Sequence, residues 1–179
     1  IMYASELLSR FGDAFGAQVH QFPVPAFFDD PETKRAFWRE RSIRRVLEMQ
    51  ASLDLAVFGV GSPFAEVPSH VYQGGYLDAE DYRALSREHV VGDVATVFYR
   101  ADGSSDGIPL NERATGPGFS VLRRAPRRVG IVAGRAKVPS LRGALRAGLI
   151  TDVILDESTA RDLAATPRDD GGPRAHARE

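Results

Sequence analysis

The 179-residue sequence contains no cysteine, which excludes disulfides, thiolate metal sites and a cysteine nucleophile and fits a reducing compartment. No apolar run approaches the ~20 residues that a membrane-spanning helix needs, and no charged-then-apolar signal opens the chain. A cytoplasmic protein with no membrane partner is therefore expected. Charge of one sign is lacking too: the formal net charge of −1 gives no overall attraction to nucleic acid or anionic surfaces. The four histidines, His20, His70, His89 and His176, form no i, i+4 pair, so nothing points to a metal site. Ser62 has no G-x-S-x-G frame and hence no nucleophile elbow. No internal repeat is visible, and no catalytic residue or cofactor is indicated.

What is present is the composition of one globular domain, with 43% hydrophobic and 26% charged residues. The chain opens on Ile1 and enters a helical pattern, Tyr3, Leu7, Leu8, Phe11 and Phe15, with no lead-in strand, which reads as the start of a fragment. Ala17 to Phe22 reads as a short strand. Asp30 before Pro31 offers a helix N-cap, and helices are expected over Glu32 to Trp38 and Ser42 to Ser52. "LDLAVFGVGSPF" from Leu53 to Phe64 looks like a strand buried on both faces that ends in a Gly-rich turn. A helix from Asp78 to His89 follows, with Leu77, Tyr82 and Leu85 as its apolar stripe. Val90 to Arg100 is strand-like and Phe119 to Arg124 a short helix. "RRVGIVAG" is a second buried strand, Val138 to Ala147 a helix, "TDVILD" a third strand, and Glu157 to Ala165 a last helix. Strands separated by helices predict an α/β fold with a parallel sheet flanked by helices. From Thr166 the chain is polar and Pro/Gly-rich, and a disordered tail is expected over 166–179.

Open α/β sheets bind ligands at the edge where their strands end. Three loops meet that description. The turn carrying Gly59, Gly61 and Ser62 offers unobstructed N–H groups and a hydroxyl to a phosphate or to sugar oxygens, or is only a tight connection that uses glycine's conformational freedom. Asp93, at the head of a strand in "VVGDV", either accepts from sugar hydroxyls or caps a turn. "IVAGRAKVPSLRGALR" places Gly134 in a turn and Lys137 in the first helical turn, where helix dipole and ammonium together attract an anion; the alternative is a solvated lysine. Arg135 adds a second cation beside it. Arg113, in "ERATG", is either surface charge or a phosphate ligand.

At these residues the sequence resembles a known family. The succession "SIRRVLEMQASLDLAVFGVGS", "LDAEDYRALSREHVVGDVATVFYRADG", "PLNERATG" and "RRVGIVAGRAKVPSLRGALRAGLITDVILDESTARDLA" is similar to the sugar-binding effector domain of SorC-type bacterial transcriptional regulators, often grouped with DeoR-like repressors. The likeness runs from Tyr3 to about Ala165, so residues 1–165 are expected to form that domain, incomplete at its N-terminus. It implies a fold similar to phosphosugar isomerases and CoA transferases, a three-layer arrangement of parallel sheet and helices. It also implies that a sugar or sugar phosphate is sensed without being transformed, and that DNA is met only through a helix-turn-helix domain absent from this chain. Carried over, the family's glycine loop falls on Gly59, Gly61 and Ser62, its sugar-facing acid on Asp93 and its phosphate-side lysine on Lys137. Ala133 stands where the family usually has the first of two adjacent glycines.

The class alternative is an enzyme of the related isomerase fold with Asp93 as base, which would need a ring-opening acid beside it. Homo-oligomerisation is expected from the resemblance. Phe27, Phe28 and Phe64 in loops read either as part of that interface or as a satellite core under the loops.

Overall fold

The computed structural model describes residues 2–63, 65 and 69–165, so the tail expected over 166–179 and Phe64 lie outside the described residues. In chain order the elements are helices α1 (Met2–Phe15), α2 (Pro31–Phe37) and α3 (Arg41–Ala51), strand β1 (Leu55–Gly59), helices α4 (His70–Gln73) and α5 (Ala79–Arg87), strands β2 (Val90–Val94) and β3 (Val97–Arg100), helices α6 (Leu110–Arg113) and α7 (Phe119–Leu122), strand β4 (Arg127–Val132), helix α8 (Val138–Arg146), strand β5 (Asp152–Leu155) and helix α9 (Glu157–Ala165). A 3-10 turn, Arg135–Lys137, leads into α8.

Local chemistry accounts for several boundaries. Asp30 accepts from the Glu32 and Thr33 N–H groups at 3.2 and 2.8 Å and so starts α2, with Pro31 at its first position. Asp78 and Asp81 form a reciprocal capping box at the start of α5. At the end of α8, Gly148 takes φ 65° and lets the chain turn into β5.

The parallel sheet has the order β1-β4-β5, with Gly59 opposite Ile131 and Ile131 opposite Ile154. All three strands thus deliver their C-terminal ends to one edge. The expected single strand from Val90 to Arg100 is instead an antiparallel hairpin, β2 with β3. It reverses at Ala95 and Thr96, both with positive φ, 49° and 70°. An Ala-Thr pair lacks the Asn-Gly signature of such turns, which is why it is invisible in the sequence. The turn is held from outside: the Gly116 N–H donates to Thr96 Oγ1 at 3.0 Å, and a Cβ at Gly116 would stand 1.5 Å from the Ala95 carbonyl oxygen. The strand expected over Ala17 to Phe22 does not form, because the segment meets no partner strand among the described residues and an unpaired strand leaves its backbone groups without a ladder.

Small residues bring the hairpin against α8. A Cβ on Gly92 would lie 2.6 Å from the Gly61 carbonyl oxygen and 2.7 Å from Ser140 Cβ, and one on Gly143 would lie 2.8 Å from the Tyr99 ring. The Tyr99 hydroxyl donates to the Ser140 carbonyl at 2.9 Å, and Ser140 Oγ donates to the Val91 carbonyl. Around this contact a core forms from Ala56, Val94, Tyr99, Leu122, Val132, Leu141 and Leu149. A second cluster, with Phe27, Leu77, Leu85, Phe98, Ile108 and Leu110, lies under the loops. Phe28 is buried against Phe37 and Trp38, at ring distances of 5.1 and 6.1 Å. Phe27 and Phe28 are thus satellite-core residues. Of the stripe expected on α5, Leu77 and Leu85 are buried, whereas Tyr82 is exposed and donates its hydroxyl to the Tyr72 carbonyl at 2.6 Å.

The expectation of strands buried on both faces fails for the parallel sheet. Leu55 and Val57 of β1, Ile131 of β4 and Ile154 of β5 share one face by register and are all exposed. No described element lies over them, so the apolar run there reports the strand without its cover.

Replacing Gly92 by Ala should destabilise the domain by roughly 1–3 kcal/mol, because the new methyl meets backbone and a buried hydroxyl rather than a flexible side-chain end. Gly118, at φ −59° with nothing near its virtual Cβ, is the control and should tolerate Ala. Urea denaturation that ranks the two variants equally would refute this packing account.

Candidate functional site

The sheet edge where β1, β4 and β5 end carries two of the stretches singled out in the sequence, after β1 and after β4, and the strand bearing Asp93 meets it through Gly61. Beyond β1 the chain runs through Val60 to Gly61, where it pairs across to β2. The Gly61 N–H donates to the Asp93 carbonyl at 2.9 Å and the Asp93 N–H to the Gly61 carbonyl at 3.3 Å. This bridge brings the Asp93 side chain against the Gly61 Cα. A Cβ at Gly61 would lie 1.8 Å from Asp93 Oδ1 and 2.9 Å from Ser69 Oγ. Glycine is required at 61 because the acid occupies that space.

Asp93 is only 4% exposed. Its Oδ1, Ser69 Oγ and the Tyr72 hydroxyl are buried polar atoms with no hydrogen-bond partner among the described residues. The phenol of Tyr72 stands beside the carboxyl and favours its charge as a donor would, although its hydroxyl falls outside strict hydrogen-bond geometry. Burial raises the pKa of Asp93 to about 6, against the opposing pull of the Thr96 backbone N–H, the Tyr72 hydroxyl and the positive charge of Lys137. The Tyr72 phenol is pushed far up, first by burial and then by the neighbouring carboxylate. An acceptor and two hydroxyls left unpaired at this depth cost free energy that a polar ligand can recover.

Lys137 sits at the N-cap position of α8, which has no side-chain cap, and is half-buried. Its ammonium acts on Asp93 through space, and no side chain among the described residues forms an ion pair with it. Helix dipole and ammonium therefore point the same sign of charge at the same edge. Arg135, next to it, turns away: Nε and Nη2 bind both carboxylate oxygens of Asp162, at 2.5 and 3.0 Å.

The other sequence candidates are engaged within the fold. The Gly134 N–H donates to Asp156 Oδ2 and Thr159 Oγ1, both at 2.9 Å. Ser62 is fully buried, and Gly59 is a ladder residue of β1 opposite Ile131. Arg113 lies in α6, donating Nη1 to Asp81 Oδ1 at 2.8 Å and Nε to the Phe28 carbonyl at 2.8 Å, and it ties the loop of Phe28 to α5. Arg113 is thus held in a largely buried ion pair within the fold. Thus Gly61, Asp93 and Lys137 converge, while Gly59, Ser62, Arg113 and Gly134 serve strand, core and turn. Ser69 and Tyr72 carry no sequence signal. They reach the acid only because α4 begins at His70 and places them beside the β1–β2 bridge.

Comparison with known proteins fits this geometry. Residues 2–165 match the family described as "Putative sugar-binding domain". The deoxyribonucleoside regulator of Bacillus subtilis (strain 168) is 32% identical over 161 residues, 90% of this chain and 50% of that protein. A crystallised domain of a possible sugar-binding transcriptional regulator from Arthrobacter aurescens TC1 superposes with a TM-score of 0.85 at 56% identity, over 92% of this chain and 62% of that one. The full-length sorbitol operon regulator SorC from Klebsiella pneumoniae superposes with a TM-score of 0.76 at 26% identity, over 84% of this chain and 48% of that one. The chain spans about half the length of the curated relatives it matches. With its matched span, parallel sheet and neighbours, the chain belongs to the sugar-binding domain family of DeoR- and SorC-type transcriptional regulators.

Proposed function

We propose that this domain is the effector-sensing part of a transcriptional regulator and that its ligand is a sugar phosphate. Asp93, Ser69 and Tyr72 take the sugar hydroxyls, and Lys137 at the head of α8 takes the phosphate. The observation that supports this reading is the trio of buried polar atoms around Gly61 with no hydrogen-bond partner among the described residues, within reach of the positive charge of Lys137. Hydroxyl groups match a site with one strong acceptor and two donor–acceptor hydroxyls, and an oxyanion matches the ammonium and the helix end. The sugar leaves as it came, and binding acts by shifting an equilibrium between states of the longer regulator, whose DNA contacts lie in another domain and whose copies associate.

Calorimetric titration with ribose 5-phosphate, glucose 6-phosphate and sorbitol 6-phosphate tests this, followed by recovery of the ligand. Lys137→Ala should weaken binding of the preferred ligand by roughly 1.5–3 kcal/mol, the range for hydrogen bonds to charged groups. Asp93→Asn should also weaken it, because an amide accepts less strongly than a carboxylate. Full affinity in Lys137→Ala removes the phosphate assignment, and a ligand recovered chemically changed would turn the reading toward an enzyme.

The pH dependence has a defined sign. In the folded state Asp93 titrates near 6, above its ordinary 3.8, so the folded chain holds this proton more tightly than the unfolded one. Its contribution to the stability of the unliganded protein is greatest below about pH 4, falls as pH rises toward 6 and is level above that, a loss on the order of 2–3 kcal/mol. Asp93→Asn should flatten this part of the profile and be no less stable than wild type at pH 7. Ligand hydroxyls favour the ionised carboxylate, so affinity should rise with pH through about 6. Wild-type and Asp93→Asn urea profiles that run parallel between pH 4 and 7 would contradict the burial of this charge.

A further inference from the structure

The turn that presents Lys137 is fixed by α9 rather than by β4, the strand it leaves. Gly134 has φ 107°, a conformation that side-chain-bearing residues rarely adopt, and its N–H is shared between Asp156 Oδ2 and Thr159 Oγ1. Its carbonyl accepts the Lys137 N–H at 3.0 Å. One residue, Gly134, therefore links the Asp156 carboxylate to the backbone of Lys137, through its N–H on one side and its carbonyl on the other. The second attachment is the two-point pairing of Arg135 with Asp162. Both acids stand at or on α9, so the turn is pinned to this helix at its start and near its middle. Thr159 is fully buried and also donates to Asp156, which leaves the carboxylate one orientation.

We propose that Asp156 is a positioning residue of the anion site, aiming the Lys137 ammonium by fixing the Gly134 peptide. The role is distinct from the cap that the same residue supplies to α9. Oδ1 accepts from the Thr159 N–H at 2.9 Å and from Ser158 Oγ at 2.6 Å, whereas Oδ2 accepts from Gly134. Asparagine keeps one acceptor and replaces the other by a donor, so it can cap the helix or hold Gly134 but not both. Since this role rests on Lys137 as the phosphate partner, the two ideas are separated by a double-mutant cycle.

The experiment titrates inorganic phosphate, ribose 5-phosphate and glucose 6-phosphate into the whole chain as wild type, Lys137→Ala, Asp156→Asn and the double variant, with melting curves alongside. Asp156→Asn is expected to weaken phosphate-dependent binding roughly three- to tenfold, the worth of one hydrogen bond. In the Lys137→Ala background the same change should do nothing further, because the group being aimed is gone. Thr159→Ser should retain affinity and Thr159→Val should lose part of it. Equal losses from Asp156→Asn with and without Lys137, or no loss with Lys137 present, overturn the positioning role while leaving the phosphate assignment intact. No loss in Lys137→Ala, or no binding of any probe to wild type, instead overturns the phosphate assignment beneath it.

Discussion

A buried carboxylate leaning on a glycine is the constraint on which the site depends. Because Asp93 fills the space that a side chain at 61 would need, the end of β1 and the hairpin β2–β3 can approach only with glycine there, and they then exchange two backbone hydrogen bonds. The same approach sets the hairpin on α8 through Gly92, Ser140 and Gly143. Moving the acid outward would relieve its desolvation but would open the joint between sheet and hairpin. The domain retains the penalty, and with it an acceptor held at fixed position in a poorly solvated setting, where a hydrogen bond to a ligand is stronger than in water.

The two ends of this site are built differently. The acid end is rigid through packing and exclusion, with no freedom for Asp93 to choose another partner. The cationic end is rigid through electrostatics: Asp156, held well below the ordinary carboxylate range by hydrogen bonds from Ser158, Thr159 and Gly134, keeps its charge across the physiological range. The two ends thus respond differently to pH, Asp93 titrating within a cell's reach while the mount of Lys137 does not.

Much of the architecture was legible because its signals are local. The cap at Asp30, the apolar runs of β1, β4 and β5 and the apolar positions Leu77 and Leu85 that frame α5 each specify an element within a dozen residues. The hairpin was not legible, since its reversal at Ala95–Thr96 uses residues with no turn preference and is enforced by Gly116, twenty residues on. Ala17 to Phe22 failed for the converse reason: strand character means nothing without an edge to join. Asp93 was read at the head of a strand, whereas it is the fourth residue of β2, beside the hairpin turn, and Lys137 stands at the helix start where it was read. Ser69, Tyr72 and Asp156 were not legible, because their roles arise from tertiary proximity. The turn at Gly61 was read either as a ligand cradle or as a tight connection, and in the fold its Cα packs against the protein's own acid. Arg113 and Arg135 show why cations near a binding edge are a weak signal, as each has a carboxylate within the fold.

The reversal at Ala95 and Thr96 also has a consequence for anyone wishing to harden this scaffold. Two side-chain-bearing residues in the left-handed region carry a conformational cost of roughly 1–2 kcal/mol each. Each gives something different in return: Thr96 supplies the hydroxyl that receives the Gly116 N–H, whereas Ala95 packs its methyl against the main core. An asparagine at 95 would tolerate this backbone region better but would set an amide where a methyl now packs on the core, so the reversal cannot be hardened there without loss of apolar contact.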